Sequence, residues 1–224
     1  MPRGAGTVRR MDSPAPNRVT PTGQIVAIAQ RGLFLGNRGS IHRAPGDIAR
    51  PWQVRRWITC ALTYKDWVAP RWAPGRWTAL FFWDEAVALA AGHRPCALCR
   101  RADYERWMDA WRSAFGSRPG ADDLDRRLHA DRLDGRSQRR HTVPWADVAA
   151  GAFALVPAGG TGEAGEVPAL VLPDRLVPWS PAGYGPPVER RGPGEATVLT
   201  PAATVMVLRH GYEPVVHPTA TKDA

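Results

Sequence analysis

A chain of 224 residues that is 44% hydrophobic can bury a core of its own, as one domain or two small ones. Its net charge of +9 comes mostly from arginine, whose guanidinium pairs bidentately with phosphate and stacks on bases, so nucleic acid is the natural partner and acidic surfaces are favoured over basic ones. No apolar run approaches the roughly 20 residues of a membrane span and the N-terminus lacks the apolar centre of a secretory signal. A cytoplasmic protein with no membrane partner is therefore expected, and its three cysteines, which cannot all pair in a monomer, would stay reduced there.

Residues 1–20, rich in Pro, Gly, Arg and Ser, read as a flexible leader. Ile25, Val26, Ile28, Leu33, Phe34 and Leu35 predict one or two strands, followed by the glycine-punctuated loop Gly36, Asn37, Arg38, Gly39. Such a loop either makes a tight turn or brings backbone amides and Arg38 to an anion. The segments WQVRRWITCALTY and RWTALFFW read as a hairpin around Ala73, Pro74 and Gly75, which would carry Cys60 towards the segment that follows.

In that segment Asp84 is a plausible N-cap, Ala86, Val87, Leu89 and Ala90 carry a short helix, and Gly92 can end it. Pro95 blocks continuation, and Cys96 is expected to open a new helix running through Trp111. Its apolar stripe is Leu98, Tyr104, Trp107, Met108 and Trp111, with Arg100, Arg101, Arg106 and Arg112 on the remaining surface. Cys96 and Cys99 have the two-residue gap that lets one turn of backbone point both sulfurs at a single tetrahedral ion, which makes Zn2+ the first cofactor to consider. Buried unrelated thiols and a redox pair are the alternatives.

The residues Phe81, Phe82, Glu85, Ala86, Leu89, Ala90, Ala91, Gly92, Arg94, Pro95, Cys96, Cys99, Arg100 and Arg101 resemble the zinc-binding N-terminal domain of Ada-type DNA methyl-phosphotriester repair proteins, over residues 81–101 only. The resemblance implies a zinc knuckle and DNA as substrate class. In that family two further cysteines lie upstream as C-x-x-x-C and the first accepts a methyl group; here the upstream segment holds Cys60 alone, so methyl acceptance does not carry over. With three cysteines, a tetrahedral site of side chains needs a histidine. His42 is the first choice, completing Cys60, Cys96 and Cys99, and His217 is the second.

A further helix, Asp122 to Leu133, sets Asp125 and His129 four residues apart with Arg132 a turn on. Carboxylate beside imidazole can tune a general base, so Asp125, His129 and Arg132, with a reactive Cys60, are the catalytic candidates; a charged surface helix explains the same spacing. The basic tract of residues 135–141 includes Arg139 and Arg140, which with Arg38, Arg100 and Arg101 are the candidate nucleic-acid contacts. Beyond it the chain turns rich in proline and glycine with short strands, and residues 199–217 echo the outline of residues 80–98 without the thiols.

The expectation is an α+β protein: a leader (1–20), a β-hairpin and helices around an Ada-like zinc knuckle (21–141), and a loop-rich β half (142–224) that either stands apart or shares the same core. The leading function is zinc-containing DNA or other nucleic-acid binding, with modified or damaged DNA as the finer target. The alternatives are a metal-dependent or thiol-based enzyme acting on nucleic acid and a zinc-stabilised protein-interaction module.

Overall fold

The computed structural model describes residues 14–66, 72–158 and 165–221. It is an α+β fold, as the sequence leads one to expect. Residues 1–13 of the leader lie outside the described residues, but its end is a strand, β1 (Pro16–Val19). Asn17 and Val19 alternate inward and are buried, a period-two pattern too short to stand out in a Pro- and Arg-rich context.

β1 is antiparallel to β2 (Ile25–Ala27). The next strands are β3 (Phe34–Asn37), the small hairpin of β4 (His42–Ala44) and β5 (Asp47–Ile48), then β6 (Ile58–Cys60), β7 (Leu80–Phe82) and β8 (Arg94–Pro95). The first sheet runs β2-β1-β7-β3-β6-β8. The hairpin expected between β6 and β7 is not formed, because β3 lies between them, with Leu35 opposite Cys60 on one side and Phe81 on the other. Gly36 permits this approach: a Cβ there would sit 2.2 Å from the Ile58 carbonyl oxygen.

The helix α1 (Glu85–Ala90) is buried along its whole length. The Asp84 carboxylate accepts from the Val87 amide at 2.9 Å as N-cap, and Gly92 takes φ +84° just past the helix end, both as the sequence implies. α2 (Arg101–Phe115) starts later than expected. The Cys96 amide still donates to the Thr59 carbonyl at 2.9 Å, so Cys96 belongs to the sheet edge and residues 97–100 form a turn before the helix.

Then come α3 (Ala121–Arg132), the short β9 (Leu133–Asp134) and β10 (Ser137–Gln138) hairpin, and the strands β11 (His141–Pro144), β12 (Phe153–Pro157), β13 (Glu166–Val171), β14 (Arg175–Ser180), β15 (Gly183–Tyr184), β16 (Val188–Glu189) and β17 (Glu195–Val198), with α4 (Ala202–Arg209) last. The second sheet runs β11-β17-β12-β13-β14-β15, with β16 on β14. Residues 159–164, in the glycine-rich stretch between β12 and β13, lie outside the described residues.

Phe153 and Leu155 of β12 face a core shared with β7 and α1, while Ala154 and Val156 face another shared with α2, α3 and α4. Both faces of this sheet are covered, which is why β12 reads FALVP without alternation. The two sequence halves therefore share their cores across residue 142. Polar contacts reinforce the join: Asp84 accepts from the Tyr184 hydroxyl at 2.7 Å and the His217 amide at 2.9 Å, and Glu85 from the Tyr212 hydroxyl at 2.6 Å and the Val215 amide at 3.0 Å. Among the described residues no helix is long and apolar enough to cross a membrane.

Candidate metal centre and the adjoining basic site

Cys60 closes β6, Cys96 follows β8, and Cys99 lies in the turn before α2. The parallel register of these strands, Ile58 with Arg94 and Thr59 with Pro95, sets Cys60 beside Cys96. The sequence places Cys60 near the knuckle for a different reason, the hairpin; strand pairing across a long connection does it instead. The three sulfurs lie within 4.8 Å of one another, a spacing that one ion about 2.3 Å from each thiolate can bridge.

Leu35, Ala79 and the half-buried Ile58, Trp77 and Phe81 pack around the thiols. The Leu98 amide points at the Cys96 sulfur at 3.4 Å, a backbone donor that favours thiolate. Hydrogen bonding from Cys60 and then Cys99 pulls the Cys96 thiol well down, while the same hydrogen bond to Cys96 pushes Cys60 up. Three close sulfurs in which one is readily ionised can hold a metal ion.

Neither histidine joins the thiols. His42 sits on β4 with Nδ1 2.6 Å from the Thr78 hydroxyl and its ring edge-on to Trp72; His217 stacks on Trp83 at 4.1 Å and pairs with Thr219. Each belongs to a different hairpin or segment end, so the cluster among the described residues is three thiols without imidazole.

At the other end of the β3, β6 and β8 strands lies a second constellation. Trp57, just before β6, is covered by two guanidiniums, Arg38 at 4.0 Å and Arg132 at 4.5 Å from its ring. Arg38 donates through Nε to His93 Nε2 at 3.3 Å and through Nη1 to the Gly23 carbonyl at 3.0 Å. Arg132 donates to the carbonyls of Leu128, Gly92 and Arg55 at 2.9, 2.7 and 3.1 Å. Among the described residues neither arginine forms an ion pair, although both are 2% exposed. Burial lowers each to about 9, unopposed at Arg38 and only partly offset at Arg132 by Asp125 and Asp131. Burial, then Arg38 and Arg132, hold His93 well below its usual range, so it is a neutral acceptor for Arg38.

The other site residues expected from sequence scatter. Arg100 is buried, ion-paired to Glu85 at 2.9 Å and Asp103 at 2.7 Å and laid over Phe34, so it is a packing residue and not a phosphate contact. Arg101 is exposed and paired with Glu105; Arg139 is exposed and donates to the Leu133 carbonyl. Arg140 is exposed and lines a pocket together with Arg38 and Arg132. The proposed catalytic trio is not assembled: Asp125 is gripped by Arg94 through two bonds of 2.8 Å, His129 packs on Trp52, and Arg132 is spent on carbonyls.

Trp52, Trp57 and Arg136, which line that pocket, and His93, packed on Trp57, are the residues that sequence reasoning missed. Tryptophans interleaved with arginines between residues 50 and 57 were the available signal, but which arginines would lose their counter-ions depends on tertiary pairing. No protein-family model, curated protein or solved structure matches this chain, so the Ada likeness of residues 81–101 stands on the residues quoted for it alone.

Proposed function

We propose that this chain is a zinc-containing nucleic-acid-binding protein, with DNA as its first substrate class. The observation that carries the reading is the convergence of Cys60, Cys96 and Cys99 from two separate segments onto one point. A soft trio of thiolates suits Zn2+ better than a hard cation, and a reducing cytoplasm suits three free cysteines. Bound there, the ion would tie β6 to the knuckle turn and so hold Trp57 where Arg38 and Arg132 flank it. The arginine excess around that end of the sheet then supplies phosphate contacts, which position a strand without reading its sequence.

The enzyme alternative has less support, because Asp125 and Arg132 are occupied by structural partners. The Ada-like turn adds a finer proposal, that the strand carries a modified or damaged backbone. Fluorescence anisotropy with a labelled duplex and a labelled single strand tests the main reading. Binding should weaken steeply as salt rises from about 50 to about 200 mM, and chelation should weaken it further. Absence of binding at low salt, or binding indifferent to salt, would leave the zinc-stabilised protein-interaction module as the better reading. A duplex bearing a methylphosphotriester should bind more tightly than its unmodified counterpart; equal affinity removes the finer proposal only.

A further inference from the structure

We propose that the cavity between Arg38, Trp57, Arg132 and the β9–β10 hairpin binds the phosphate of a nucleotide, either free or at the end of a nucleic-acid strand. Only the strand-end source rests on the nucleic-acid reading above; the phosphate chemistry stands on the cavity itself. Its volume is about 700 Å³, within the range of small-molecule sites and larger than a bare phosphate requires. Arg38, Arg50, Arg132, Arg136 and Arg140 line it, and among the described residues no aspartate or glutamate does.

The floor carries the strongest signal. Arg38 is buried, yet its Nη2 has no hydrogen-bond partner among the described residues. A buried guanidinium donor left unmatched is costly, and an oxyanion is the group that would satisfy it with a charge-assisted bond. Arg132 beside it forms no ion pair among the described residues, its nearest acidic influences being the more distant Asp125 and Asp131, so the floor of the cavity is poor in counter-charge. At the mouth, Arg50, Arg136 and Arg140 are exposed and free to close on a multiply charged anion.

Two further features point past a simple anion. Gln138 spends its Nε2 on the carbonyls of Pro21, Ala90 and Leu199, which fixes the orientation of its amide, and its Oε1 is buried without a donor. That acceptor suits a sugar hydroxyl or a base amino group. Trp52, half-buried on the wall, offers an indole face for a base, and base stacking on aromatic residues tolerates any sequence.

Titration calorimetry with adenosine 5′-monophosphate, adenosine and inorganic phosphate tests the assignment. The nucleotide should bind more tightly than either fragment. Arg38→Met should weaken it roughly tenfold or more, since one charge-assisted contact is lost. The double variant Arg136→Ala with Arg140→Ala, altered only at exposed positions, should weaken it and flatten its salt dependence, which keeps the test valid if Arg38→Met misfolds. Nucleotide binding no tighter than adenosine, or unchanged in the double variant, overturns the proposal. A 5′-phosphorylated oligonucleotide that outcompetes its 5′-hydroxyl form assigns the strand end as source. Binding of the free nucleotide with no preference for the 5′-phosphorylated strand keeps the pocket and removes the strand end as its source, leaving the nucleic-acid reading to the anisotropy test above.

Discussion

Among the described residues, four buried arginines divide this molecule into two kinds of interior. Arg94 and Arg100 are each matched to carboxylates: Arg94 ties β8 to α3 through Asp125, and Arg100 ties α1 to the start of α2 through Glu85 and Asp103. Arg38 and Arg132 are equally buried but meet only carbonyls, an imidazole and the ring of Trp57. Burial opposes charge in both settings; at Arg100 the Glu85 carboxylate more than offsets it, raising the guanidinium pKa, whereas at Arg38 nothing opposes it and at Arg132 Asp125 and Asp131 offset it only in part. A buried charge with a partner is architecture. A buried charge without one, on the floor of a cavity, is waiting for a ligand.

The contrast breaks most visibly if Asp125 is removed. Asp125→Ala leaves Arg94 buried and uncompensated, and urea denaturation should show a loss of about 3–5 kcal/mol. Arg38→Met should have a far smaller effect, changing stability by no more than about 1 kcal/mol in either direction, because a charge without an ion-pair partner is replaced by an apolar chain of similar length. Equal losses in the two variants would mean that the arginines are not different in kind.

A smaller effect follows from His93. Its folded pKa lies well below the unfolded value of about 6.5, so the unfolded chain binds a proton that the folded chain refuses. The stability it contributes is present above that pH and is lost as pH falls. Asp84 acts in the opposite sense: burial raises it to about 6, above the unfolded value of about 3.9, so its contribution grows as pH falls through that window. Comparison with His93→Gln isolates the first. Between pH 7 and pH 5.5 the variant should lose about 1 kcal/mol less than the parent chain, and parallel curves would show that the ring is not held neutral. The smallest effect belongs to the solvated face, where Arg101→Ala removes an exposed pair with Glu105 and should cost under about 0.5 kcal/mol.

Local chemistry was legible in the sequence where it depends on neighbours along the chain. The Asp84 cap, the Gly92 stop and the two-residue gap between Cys96 and Cys99 all appear where their spacing implies. What depends on distant pairing was not. The insertion of β3 between β6 and β7, the start of α2 at Arg101, and the strand inside the expected leader follow from sheet register, which short strands specify weakly. Arg100 illustrates the same limit: beside a zinc-like knuckle it reads as a phosphate contact, but Glu85, at the start of α1, claims it. Trp57 was invisible as a site residue because its neighbours arrive from residues 38, 93 and 132.

β6 links the Arg38 and Arg132 setting to the thiols, since it carries Cys60 at one end and leads from Trp57 at the other. Metal content of the purified native chain, measured beside Cys99→Ser, tests this centre most directly. One equivalent of zinc per chain, lost or sharply reduced in the variant, is the expected result; a folded native chain with no bound metal and three freely titrating thiols would contradict it.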